Sequence, residues 1–269
     1  MKYMTFNSSC SYAGLANMLS FYGIDTTDRE IALEMGLPYL LAHEDGAYLA
    51  GPSLQSARWF DLYLNPRGFT LEETPVEKRS VPAYLPRHTA AMLGIQGIDR
   101  AGKHAVVFTG MEQGRFRFLN NKWEQELSPD TLLLTEEELL SRLDNTCMAA
   151  ILRPISPKSA PIRQRTAESL KVLDQYEKAL LDTCAQSRPT GELRSLLNPL
   201  FRPLLLDGIT MMELLGNQAL HTKLTALQRS LLTALGSQET TLRLADHLPL
   251  SELHSAMEEY RQLISAQLA

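Results

Sequence analysis

Apolar residues recur at helical spacing through the first sixty or so positions, give way to short apolar runs, and return to helical spacing beyond residue 165. Residues 10–22 are apolar on nearly every face. Tyr12, Leu15, Leu19 and Tyr22 form one stripe, and Ala13, Ala16, Met18 and Phe21 fill the others. A helix apolar all round is a buried helix, and Gly23 is placed to stop it. Thr27-Asp28-Arg29-Glu30 is a capping box that opens a second helix ending near Gly36. The polar stretch AHEDGAYLAGPS reads as a loop. Ser53 is then the predicted cap of a third helix, with Leu54, Ala57, Phe60 and Leu64 on one face and Pro66-Arg67-Gly68 at its end.

After residue 68 the texture changes. Residues 89–96, 104–109 and 115–119 read as strands separated by Gly-containing turns. Thr135-Glu136-Glu137-Glu138 is a second capping box, for a helix reaching Leu143. Residues 147–152, CMAAIL, are an unbroken apolar run that suits a strand buried on both faces. Helices followed by an antiparallel sheet define an α+β domain, assigned to residues 1–155. Pro154, Pro157 and Pro161 punctuate a stretch whose residues 156–164 read as a linker. Residues 165–269 are predicted to be a helical bundle, with Leu170, Leu173, Tyr176, Leu180 and Leu181 on one face. Such a bundle can pack on the first domain or on another copy of the chain, so a homo-oligomer is a possible assembly.

Composition narrows the function classes. The chain of 269 residues is 44% apolar and 21% charged, as expected of a globular protein. Its net charge of −5 gives no electrostatic reason to expect nucleic acid, whose binders usually carry a basic patch. Residues 1–156 carry 14 basic against 19 acidic side chains and so hold the whole excess, which favours a basic over an acidic substrate there. No apolar run is long enough to span a bilayer, and the N-terminus lacks a secretory pattern. Three widely spaced cysteines, Cys10, Cys147 and Cys184, form neither a disulfide framework nor a zinc set. The expectation is a cytoplasmic protein without metal or cofactor. Cys147 belongs to the apolar run and reads as core, and Cys184, late in a helix, as inert.

Cys10 is different. It stands in SSCSYAG at the mouth of the first helix, where the macrodipole favours thiolate over thiol. A cysteine nucleophile needs a base in reach, and the base needs a third group to orient it. His104 opens a β-branched run, and a turn and a second strand follow, ending in Asn120-Asn121. Cysteine early, histidine much later and asparagine soon after is the chain order of a papain-like site. The predicted set is Cys10 as nucleophile, His104 as base and one of the adjacent pair Asn120 and Asn121 as orienter.

The first 155 residues resemble the papain-like peptidases that process double-glycine leader peptides. The shared elements are the Cys10 helix ending in SFYGI, TTDREIALEMGL, GPSLQSARWF, the strand from His104, RFLNN, and TEEELLSRL with MAAILRP. The resemblance implies a helical subdomain and an antiparallel sheet with a cleft between them. It also implies Cys10 as nucleophile, His104 as base, and Asn120 where the family has Asp-Pro. Two positions depart from the family pattern. Met4 replaces a glutamine that donates to the oxyanion, and Ser11 replaces a glycine. Loss of one such donor costs roughly two to three orders of magnitude in rate, so strong general proteolysis is not expected; Asn7 is the nearest carboxamide that could substitute. A papain-like domain followed by helices also resembles the butirosin-type acyltransferases. The function implied is cysteine-dependent acyl chemistry on a specific peptide, with acyl transfer from a carrier-bound thioester or peptide binding without catalysis as alternatives.

Overall fold

The computed structural model describes residues 1–97 and 102–269. The chain divides into two compact units, one made of Met1–Met35 and Gln55–Ala160, the other of Gly36–Leu54 and Pro161–Ala269.

The first unit opens with α1 (Cys10–Ser20) and α2 (Asp28–Glu34). The capping box of α2 forms as predicted: Thr27 accepts from the Glu30 amide while the Glu30 carboxylate accepts from the Thr27 amide. The chain then leaves for the second unit, where β1 (Leu41–Glu44) and β2 (Ala47–Ala50) make a hairpin. The predicted loop is therefore a strand pair. Its turn is Asp45-Gly46, both at positive φ (50° and 78°), the dipeptide that suits a two-residue hairpin.

Back in the first unit lie α3 (Ala57–Leu64), β3 (Phe69–Glu77), α4 (Val81–Tyr84), β4 (Ala91–Gln96), β5 (Lys103–Glu112) and β6 (Arg115–Asn120). They are followed by β7 (Thr131–Leu134), α5 (Glu136–Ser141) and β8 (Thr146–Pro154). Six strands form one antiparallel sheet in the order β3-β8-β4-β5-β6-β7. The α+β expectation holds. The predicted Ser53 cap does not, because α3 begins four residues later. Its first amide, on Ala57, donates to the Glu73 carboxylate of β3 at 2.9 Å.

Strand alternation gives the sheet two distinct faces. On one, Val76, Leu93, Ile95, Val106, Phe108, Phe118, Cys147, Ala149 and Ile151 join Val81 and Leu85 and, on α5, Leu139 in a single apolar core. On the other lies α1, whose residues from Tyr12 through Leu19 are all buried. Gly14 sets the approach: a Cβ there would stand 2.5 Å from Met92 Sδ and 2.6 Å from Asn121 Nδ2. Only glycine lets this helix backbone sit so close to the sheet.

In the second unit, α6 (Ile162–Ala185), α7 (Thr190–Ser195), α8 (Ile209–Leu215), α9 (Gln218–Leu235) and α10 (Leu250–Ala266) supply the helical C-terminal region. Two π-helical turns, Leu197–Phe201 and Pro203–Gly208, precede α8. Three-residue strands β9 (Ser187–Pro189) and β10 (Thr241–Arg243) pair within it. The sequence reading places all of residues 1–155 in one domain; the structure gives Gly36–Leu54 to the helical unit. Polar contacts explain this. Leu41 N–H donates to Ser169 Oγ at 3.0 Å, Tyr260 OH to the Pro38 carbonyl at 3.0 Å, and Ser53 Oγ to Asp207 at 2.7 Å. Residues 155–160 stay with the first unit, where Ile155 and Lys158 donate backbone bonds to Gly68 and Asn65. No described helix is long and apolar enough to cross a membrane.

Candidate functional site

The loop before α1 is held by a buried carboxylate. Asp28 accepts from the Thr5 amide, the Thr5 hydroxyl and the Ser9 hydroxyl, each at 2.7 Å. Ser9 thereby gives its hydroxyl to Asp28 and does not cap α1. Tyr12 anchors the first turn from below, its ring edge-on to Phe6 and Phe60 at 5.7 and 4.8 Å. These contacts fix Cys10, half-buried, at the head of the helix.

Cys10 opens onto a cavity of about 300 Å³ within the first unit. Ser11 and Gln55 flank it on the helical side. Glu73, Met92, Leu93, Gly94, Lys103, Ala105, Cys147, Met148 and Ala150 line it from the strands. Gly94 and Ala105 pair directly across β4 and β5, so the floor of the cavity is small. Ser11 Oγ donates to Gln55 Oε1 at 2.8 Å.

His104 is not on this wall. It pairs with Ile95, and shares a row of β5 with Val106 and Phe108, both on the face that holds the apolar core. No register shift intervenes between residues 104 and 108. Lys103, Ala105 and Val107 occupy the row that faces α1. The expected meeting of Cys10 with His104 is therefore not made: the two belong to opposite faces of the sheet. His88, the other histidine of this unit, tilts against Tyr84, which packs on the same apolar core. Burial and the neighbouring Arg153 and Arg87 push its pKa down.

The two asparagines divide in the same way. Asn120 pairs with Val106 on the core face, and its amide donates to Ser128 Oγ at 3.2 Å and to the Pro129 carbonyl at 2.9 Å. Asn121 lies on the α1 face. It is fully buried, accepts from Asn17 at 3.0 Å and donates to the Ala105 carbonyl at 3.0 Å. The carboxamide that adjoins the Cys10 side of the sheet is thus Asn121, and it is bonded to backbone and to Asn17. Asn7 is exposed in the turn before α1 and does not line the cavity. Met4 is buried, its amide bonded to the Lys122 carbonyl at 2.8 Å. Sequence reasoning missed Gln55 and Glu73. The H-bond from Ser11, itself singled out as a departure, is the signal that points to Gln55.

The remaining cysteines are buried. Desolvation raises the Cys147 thiol and pushes Cys184 up to about 11. Among the described residues, no group of three or more metal-ligating side chains comes together.

A cysteine-headed helix lying on an antiparallel sheet is the α+β arrangement expected of a papain-like domain. No family model matches the sequence, and no curated protein matches it. Solved structures do match. One is the peptidase domain of Streptococcus ComA, a bifunctional ABC transporter involved in quorum sensing, at 13% identity and a TM-score of 0.39, covering 56% of this chain and 96% of that one. Another is a double-glycine-motif protease from an AMS/PCAT transporter in complex with its leader peptide, at 15% identity and a TM-score of 0.35, covering 56% and 89%. A periplasmic domain of the Vibrio vulnificus EpsAB fusion protein matches at 13% identity and a TM-score of 0.31, with 54% and 46% covered. At that distance they bear on neither activity nor substrate.

Proposed function

We propose that the first unit is a papain-like module that binds a peptide in the Cys10 cavity without Cys-His-Asn catalysis. One observation carries this: on β5 the residues that line the cavity are Lys103 and Ala105, while His104, between them, belongs to the row on the opposite face. A general base must come within hydrogen-bond reach of the proton it takes, and among the described residues that line the cavity there is no imidazole. The cavity suits an extended chain. Gly94, Ala105 and Ala150 let a peptide backbone approach the floor, Met92 and Met148 are adaptable apolar walls, and Gln55 and Glu73 supply polar contacts.

A second reading is cysteine-dependent acyl chemistry, as a peptidase-like hydrolase or an acyltransferase acting on a carrier-bound substrate. The observation favouring it is the half-buried thiol of Cys10 at the head of an 11-residue helix, inside a cavity. His104 is not available to it as base without a change of strand register.

Wild type and Cys10→Ala are to be incubated with a mixed-sequence peptide library and, separately, with the N-acetylcysteamine thioester of acetate. Native and intact mass spectrometry then read binding and covalent change. The expected result is peptide retained by both proteins and no acyl adduct. An adduct on wild type alone would overturn the module reading; discharge by amines would then indicate transfer, and discharge by water hydrolysis. Neither peptide nor adduct would reject both readings.

A further inference from the structure

Gln55 is the first residue of the first unit after the chain returns from the hairpin, and it sits at the cavity mouth beside Cys10. Its side chain is oriented. Ser11, the residue following Cys10, donates its hydroxyl to Gln55 Oε1 at 2.8 Å, which turns the amide nitrogen away from Ser11. A primary amide carries two N–H donors on that nitrogen, and here the oxygen is already engaged. Of the polar groups that line the cavity from the strands, Glu73 is committed through one oxygen to the Ala57 amide at 2.9 Å and, as a carboxylate, can only accept, while Lys103 is paired with Asp144. On the helical side of the cavity, Gln55 is therefore the side chain suited to donate to an incoming oxygen while Cys10 stands next to it.

We propose that Gln55, held by Ser11, donates a hydrogen bond to a carbonyl oxygen of the peptide bound over Cys10, so that Gln55 is a binding residue and Ser11 a positioning residue. This rests on the reading of the cavity as a peptide site. It predicts a preference for ligands that place a carbonyl carbon over the Cys10 sulfur and the carbonyl oxygen toward Gln55.

A peptide aldehyde tests this geometry. With acetyl-glycyl-glycinal, Cys10 Sγ adds to the aldehyde carbon; the C–S bond forms as the C=O π pair moves to oxygen, which takes the thiol proton. The product is a reversible hemithioacetal with no leaving group, and its oxygen is the atom Gln55 would hold. The quantity to read is the aldehyde affinity divided by the rate of iodoacetamide labelling at Cys10, measured for each variant, so that a general change in the thiol cancels. Gln55→Leu removes the whole amide, whereas Gln55→Glu keeps the oxygen that accepts from Ser11 and removes the donors. Both should lower the ratio about tenfold, the range of a single hydrogen bond. Ser11→Ala should lower it about threefold and Ser11→Thr restore it, a pattern that loss of folding would not produce. An unchanged ratio in both Gln55 variants would overturn the role of Gln55. A wild type that labels with iodoacetamide yet forms no hemithioacetal would instead overturn the peptide-site reading, and this inference with it.

Discussion

The two faces of the six-stranded sheet are built to different ends. One face is filled by side chains that interlock with α4 and α5, and it carries His104 and Asn120 among Val106, Phe108 and Phe118. The other face carries small or flexible residues, Gly94, Ala105, Met92 and Ala150, beneath the head of α1. A one-residue step along β5 separates them, and that step decides which side chain Cys10 meets. Since strand side chains alternate, a single-residue offset moves a functional group through the whole thickness of the sheet. Residue types in the right chain order are thus not enough to make a catalytic set; the parity of the strand must agree as well.

The packed face should be the more sensitive to truncation. Phe118 is fully buried, with its ring edge-on to Phe108 at 5.7 Å. Phe118→Ala should destabilise the first unit by about 3–5 kcal/mol, read as a shift in the denaturation midpoint. A loss below 1 kcal/mol would mean that this face is not the core it is described to be. On the cavity face the matching experiment adds a side chain. Ala105→His would place an imidazole on the wall that Cys10 shares. Alkylation of Cys10 at pH 6 should then rise about tenfold, because a nearby imidazolium favours the thiolate. No change would break the claim that the 105 row, and not the 104 row, is aimed at the sulfur.

Much of the fold was legible. The apolar surround of α1, both capping boxes and the runs that became β4, β5, β6 and β8 each rest on a strong local signal. What escaped was weak for physical reasons. β3 and β7 are the edges of the sheet. In β3 four carboxylate or proline positions, Glu72, Glu73, Pro75 and Glu77, interrupt the apolar alternation, as edge strands tolerate. The β1–β2 hairpin hid in a polar stretch whose Asp45-Gly46 turn was its one clear mark. The departure of Gly36–Leu54 to the helical unit depends on partners more than a hundred residues away, such as Ser169 and Asp207.

For the site, sequence gave the cavity residue Cys10 but not its neighbours. Val106-Val107-Phe108 is apolar without interruption because β5 is buried on both faces. An unbroken run carries no period-two pattern, so nothing in it told which face His104 would take. The same holds for Asn120-Asn121, where adjacent identical residues fall on opposite faces and the sequence leaves the choice open. Gln55 could be found only once its bond from Ser11 was seen.

The most direct test of this account is the pH dependence of Cys10 alkylation by iodoacetamide in wild type and His104→Ala, followed by peptide mapping from pH 5 to pH 9. The mapping separates Cys10 from Cys147, which lines the same cavity, and from Cys184; burial raises the Cys147 thiol and pushes Cys184 up to about 11. A cysteine paired with an imidazolium holds its thiolate well below the ordinary thiol range, and so labels at acid pH. With His104 on the opposite face, the two profiles should coincide within about twofold at every pH. A wild-type limb at pH 5–6 that His104→Ala lowers more than about tenfold would show that the two side chains meet, and would contradict the account.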